Sequence, residues 1–291
     1  MEKQVLYEKV GGVAKIWLNR PEKRNMFTRV LMDQLAEALD ESEKDPEVRV
    51  VILQGKGDDF CAGYDHSDSE AIIANDGNVV PWDLRRLDSQ SDYKYYMRFF
   101  NHKKPIICGV KGEVIGNGVW VACFCDLIVA GTDTKFNDLE YACGLNYSDG
   151  FPIWYWKMPA NIAMEFALTS YPIDARKGLA YGLFNHVVEP DKVDETCMKL
   201  ASRMLRLNPY TLAIQHEIGT LAYELKGMTH ILPFAQEALN AAITITHNPQ
   251  SDMYWNNSKI NGKESQPKLF WKMIHDLEEG DDWTIEDAML P

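Results

Sequence analysis

The chain has 291 residues, room for one large domain or a domain with an appendage. Its hydrophobic content of 46% and charged content of 25% are ordinary globular values. A net charge of −13 argues against nucleic-acid and anionic-membrane partners, whose phosphates need clustered cations, although a local basic patch can still hold a small anion. The six cysteines (61, 108, 123, 125, 143 and 197) lie mostly in apolar runs, without the spacing of a disulfide-stapled secreted module. Cys123 and Cys125 are two apart on an expected helix, so their side chains diverge and no metal site is expected. The opening Met-Glu-Lys-Gln-Val lacks signal-peptide character and no apolar run reaches membrane length; a reducing cytoplasm is the expected setting.

Taken in order, Gln4 to Lys9, Val13 to Leu18 and Val50 to Gln54 are rich in β-branched and aromatic residues and read as strands. Thr28 to Glu43 reads as a helix between them, with Leu31, Leu35 and Leu39 on one face and Thr28 as N-cap. Strand, helix, strand is the pattern of a parallel sheet. Phe60-Cys-Ala-Gly-Tyr-Asp65 ends in a turn that Gly63 permits and Asp65 can cap. His66 to Asp92 is polar and acidic and reads as a long loop; Tyr93 to Asn101 reads as a helix.

The central stretch runs from Lys104 to Asp149. A buried strand, Pro105 to Val110, leads through glycines into a short apolar helix, Val119 to Cys125, and a second buried strand, Leu127 to Ala130, carries the chain to Glu140. Glycines before a helix allow unusual backbone angles and close approach of a ligand. The first N–H groups of a helix have no partner within it and can hold a negative oxygen. Gly112, Gly116 and Gly118 follow a strand, but their order lacks the full dinucleotide-binding fingerprint. Beyond Asn161 the chain turns helical at Met164 to Thr169, Asp174 to Tyr181, Val193 to Leu207 and Tyr210 to Ile243, interrupted by a short strand at Asn185 to Val188. From Asn248 it is polar, then acidic over Asp276 to Asp282.

Five segments in this order resemble the crotonase superfamily of enoyl-CoA hydratases and isomerases. They are Ile16-Trp-Leu-Asn-Arg-Pro21 with Asn25, Val51-Ile-Leu-Gln-Gly55, Phe60 to Asp65, Lys104 to Gly131, and Leu168 to Leu183 before His186-Val-Val. The resemblance spans roughly residues 5 to 245. It implies an α/β fold over 1–190 built from repeated ββα units and a helical trimerisation region over 191–250; the polar, acidic composition beyond it reads as an extension over 251–291. It also implies an acyl-CoA substrate, with coenzyme A entering as part of the substrate rather than as a cofactor, and a homotrimer or hexamer.

The site follows by position in the family's motifs. The N–H groups of Tyr64 and Asn117 would hold the thioester oxygen, which gains negative charge when an α-proton leaves or water adds. Relatives mostly carry Gly at the Asn117 position. Glu140 stands where the family keeps a catalytic glutamate, and a carboxylate in a dry pocket can be tuned toward neutrality as general acid or base. The second hydratase glutamate is replaced by Trp120, which disfavours two-carboxylate hydration and leaves proton shuttling by one group; the alternative role for Trp120 is substrate binding, filling the pocket to fit a particular acyl group. Asp149 in Tyr147-Ser-Asp-Gly150 is a second acid or base candidate or an ordinary turn. For coenzyme A, Lys23 and Arg24 would meet phosphates, the Ala62 carbonyl the adenine, and Gly63 and Gly116 would allow close approach; the plain alternative for the two cations is a solvated turn. Ser67 stands where many relatives carry Lys. His66 and His102 read as structural or solvated, and Trp82, Trp154, Trp156, Tyr147 and Tyr155 as pocket wall or core. A hydrolase opening a cyclic β-diketone or its thioester, and a non-catalytic CoA-binding relative, are the alternative functions.

Overall fold

The computed structural model describes residues 3–65, 93–138 and 153–235. Strands β1 (Val5–Val10) and β2 (Val13–Leu18) pair as an antiparallel hairpin. Helix α1 (Arg29–Lys44) then returns the chain so that β3 (Val50–Gly55) lies parallel to β2. The expected cap is present: the Thr28 hydroxyl oxygen accepts from the Leu31 N–H at 3.0 Å, and Leu31, Leu35 and Leu39 are buried.

Beyond β4 (Cys61–Ala62) and helix α2 (93–100) come β5 (Ile106–Val110), β6 (Glu113–Ile115) and α3 (Asn117–Phe124). Then follow β7 (Leu127–Gly131), β8 (Lys135–Asn137), α4 (Trp154–Lys157), α5 (Ala160–Thr169) and β9 (Ile173–Asp174). The described chain closes with α6 (Ala175–Ala180), β10 (His186–Val188), α7 (Val193–Leu205), α8 (Pro209–Leu225) and α9 (228–235).

The larger sheet has the order β1-β2-β3-β5-β7-β10 and is parallel from β2 onward; the smaller has the order β4-β6-β8-β9. Each repeat therefore gives one strand to each sheet (β3 then β4, β5 then β6, β7 then β8), which is the expected ββα core. Both faces of the larger sheet are covered, so its strands read as unbroken apolar runs instead of alternating. Val51, Leu53, Ile106, Cys108 and Ile128 point into the main core with α1, α2 and α3. Val50, Ile52, Ile107 and Val129 point the other way, against Val193, Cys197 and Ala201 of α7 and Leu212 of α8.

The run expected to stay helical from Tyr210 to Ile243 is broken. α8 ends at Leu225, Gly227 adopts φ +83°, and α9 starts at residue 228. Glycine in that left-handed conformation ends helices, and it leaves no mark on hydrophobic spacing. Residues 236–243, the expected loop over 66–92 and the tail from Asn248 lie outside the described residues. Among the described residues no helix is long and apolar enough to cross a membrane.

Candidate active site

Two strand ends of the smaller sheet frame the candidate site. β4 and β6 run parallel with Ala62 opposite Ile115, so each chain leaves the sheet at the same level. After Ala62 the first chain passes Gly63 (φ +94°) to Tyr64. After Ile115 the second passes Gly116, at φ +50° and ψ −113°, into Asn117 at the first position of α3. Side-chain-bearing residues rarely adopt such an angle pair, so Gly116 is what lets a helix start directly on a strand end.

The two segments touch. A methyl group added to Gly118 would sit 2.9 Å from Cys61 Cβ and 3.0 Å from the Cys61 carbonyl oxygen, and one at Gly63 would sit 3.6 Å from the Ile115 side chain. Tyr64 forms a bridge with Phe27 in which the Phe27 N–H donates to the Gly63 carbonyl and the Asp65 N–H donates to the Phe27 carbonyl, both at 2.8 Å. Successive amides of an extended chain alternate in direction, so the Tyr64 N–H faces the opposite edge. That edge of β4 is the one paired with β6, which leads into α3.

Every residue of α3 is buried, and Gly116 offers no side-chain cap. The first intrahelical bond runs from the Trp120 N–H to the Gly116 carbonyl at 3.2 Å, and the amides of Asn117, Gly118 and Val119 precede it. A buried helix start of this kind carries partial positive charge and favours a negative oxygen.

Trp120 is buried, with its ring edge-on to Tyr96 at 5.6 Å, and Tyr96 stacks on Phe124 at 5.8 Å. Its indole Nε1 has no hydrogen-bond partner among the described residues. Trp154 is fully buried and packs edge-on to Phe166, a core role, whereas Tyr155 and Trp156 are only partly buried. His102 is buried, within 3.0 Å of the Ser42 hydroxyl and 2.9 Å of the Lys104 carbonyl, a structural role as expected. Glu140 and Asp149 lie outside the described residues, as do His66, Ser67, Trp82 and Tyr147.

The loop carrying Lys23 and Arg24 wraps β4. Lys23 ends a 3₁₀ turn and is exposed. The Arg24 guanidinium donates to Asp59 at 2.7 Å and approaches Glu113 at 3.7 Å. The Arg24 carbonyl accepts from the Ala62 N–H at 3.0 Å, which ties the loop to β4. Sequence reasoning assigned no role to Arg20 or Asp59 and expected only a cap from Asp65. Asp65 is in fact buried and pairs with Arg20 at 2.9 Å; these partners are 45 residues apart, a separation no local pattern reveals.

Comparison with known proteins agrees with this architecture. The enoyl-CoA hydratase/isomerase family model matches residues 8–250. The chain belongs to that family. A probable peroxisomal enoyl-CoA hydratase of Arabidopsis thaliana is 32% identical over 202 residues, covering 67% of this chain and 70% of the relative. A 1,2-epoxyphenylacetyl-CoA isomerase of Escherichia coli is 29% identical over 262 residues, covering 87% and 88% respectively. The crystal structure of an enoyl-CoA hydratase/isomerase from Xanthobacter autotrophicus Py2 superposes with a TM-score of 0.81 at 26% identity, over 93% of this chain and 98% of that one. The likeness to crotonases inferred from five short segments is thus borne out, and with it the fold class.

Cys61, against which Gly118 packs, has its thiol pKa pushed up to about 12 by burial. Below that pH it is a neutral thiol and a poor nucleophile. Iodoacetamide at pH 8 is expected to leave Cys61 of the native protein unmodified while labelling it fully after unfolding, read by peptide mass spectrometry. Rapid labelling of the native protein would contradict this burial.

Proposed function

We propose that the protein processes an acyl-CoA thioester through an enolate whose oxygen is held by the N–H groups of Tyr64 and Asn117. The observation that carries this reading is the register of Ala62 with Ile115, which supports two amides, two residues farther along each chain, at one buried helix start. A preorganised donor aimed at a developing oxyanion contributes about 3 kcal/mol to barrier lowering. The backbone donor at Asn117 is independent of its side chain, so the exchange of Gly for Asn at this position leaves the N–H in place.

Glu140 is the proposed general acid and base, moving hydrogen beside the enolate. A buried tryptophan at Trp120 cannot replace a second carboxylate, so transfer by one group, as in shifting a double bond, is favoured over two-carboxylate hydration. For the coenzyme A portion we propose Lys23 as a phosphate contact and the Ala62 carbonyl as an adenine contact, with Gly63 and Gly116 allowing close approach. Arg24 serves first to hold its loop against Asp59.

Purified protein should convert a 2-enoyl- or 3-enoyl-CoA, and Glu140→Gln should slow that conversion by roughly 100- to 10,000-fold while acyl-CoA still binds. Undiminished turnover in the variant would reject Glu140 as the proton carrier.

We also propose a homotrimer or a hexamer of two trimers. Tyr210, Ile214, Ile218, Leu221 and Leu225 recur every three or four residues along α8 and are all exposed, an apolar stripe of the kind that buries itself against another copy. Light scattering should give three or six protomer masses; a monomer at micromolar concentration would reject the assembly.

A further inference from the structure

We propose that the buried Arg20–Asp65 ion pair is a positioning device for the Tyr64 amide, acting on the reaction through the backbone without touching substrate. This rests on the functional reading above. The starting observation is mechanical. Tyr64 follows Gly63 at φ +94°, and a glycine joint has a broad torsional well. An amide carried on such a joint points reliably only if the flanking groups are fixed from outside.

Two main-chain bonds to Phe27 supply part of that restraint, at the Gly63 carbonyl and the Asp65 N–H. The ion pair adds a side-chain restraint. Arg20 Nη2 donates to Asp65 Oδ2 at 2.9 Å, while Arg20 Nη1 donates to the Met26 carbonyl at 2.6 Å. One planar fork therefore spans from the 26–27 segment to the residue after Tyr64. Lysine has no such fork, being a single point charge on a flexible stem.

The anchor is itself held. The Arg20 N–H donates to Asn25 Oδ1 at 2.8 Å, and Asn25 Nδ2 donates to the Lys56 and Asp59 carbonyls at 2.8 and 2.9 Å. Both charges are largely shielded from water, with side-chain exposure of 13% for Arg20 and 3% for Asp65, so solvent screens the pair poorly. At the far end of β4, the Arg24–Asp59 bond fixes the same loop to the same strand, and Asp59 Oδ1 accepts from the Glu113 N–H at the start of β6. The loop over residues 20–27 thus straps β4 at both ends, and of its two side-chain straps the Arg20–Asp65 one is next to Tyr64 in the chain.

The competing account is an ion pair that adds stability and nothing else. The full-length protein distinguishes them with 2,4-hexadienoyl-CoA, a conjugated thioester whose absorbance moves to longer wavelength when its carbonyl oxygen is polarised. Asp65→Asn is expected to lower kcat by about 10- to 100-fold, the scale of a misplaced catalytic group, while KM moves less than about 3-fold. The absorbance shift of the bound thioester should shrink in parallel, and Arg20→Lys should fall between wild type and Asp65→Asn. A lowered melting temperature with kcat and absorbance shift unchanged, measured where both proteins are folded, would overturn the proposal. Should Asp65→Asn not fold, Arg20→Lys gives the same comparison. No shift on binding to the wild type would overturn the oxyanion reading and this inference together, whereas a full shift in wild type and variants alike would overturn this inference alone.

Discussion

The close approach of α3 to β4 is the constraint on which the site depends. Parallel pairing of β4 with β6 lets two chain segments leave the sheet side by side, and Gly118 lets the helix that follows lie against the Cys61 main chain. A side chain there would have to push the helix away from the strand, because its nearest obstacles include backbone. Gly116 supplies the sharp change of direction and Gly63 the matching turn on the neighbouring chain. The result is a helix start facing a strand end deep in the protein.

That arrangement is costly to bury. Amides at a helix start have no partner within the helix, and an apolar surrounding offers none in exchange for water. Folded proteins keep such groups where a ligand or a fixed polar group meets them. Charged and amide side chains are gathered where the loop wraps β4, at Arg20, Arg24, Asn25, Asp59 and Asp65. Along α3 the packing is aromatic, with Trp120 edge-on to Tyr96 and Tyr96 stacked on Phe124. A thioester oxygen held at that helix start, as proposed, would meet its N–H groups in a poorly screened medium, where each is worth more than in water.

Much of this was legible in the residues. The unbroken apolar runs at Val50–Gly55 and Ile106–Val110 announce strands covered on both faces, and Thr28 announces the start of α1. The glycines before Asn117 announce a strand-to-helix turn, although the helix begins two residues before the expected Val119 because Asn117 and Gly118 already belong to its first turn. Other features were hidden for physical reasons. The Arg20–Asp65 pair depends on a fold that joins distant segments. The contacts of Arg24 with Asp59 and Glu113 likewise join segments far apart in the chain. Trp154 reads alike as pocket wall or core in sequence, and only its complete burial against Phe166 assigns it to the core.

The central claim is that one oxygen sits between two main-chain amides contributed by different ββα repeats. A crystal structure of the protein with an acyl-CoA bound tests it most directly. The account predicts the thioester oxygen within about 2.7–3.1 Å of both the Tyr64 and the Asn117 nitrogen, the range of a working oxyanion donor. A thioester oxygen bound away from either nitrogen would contradict it.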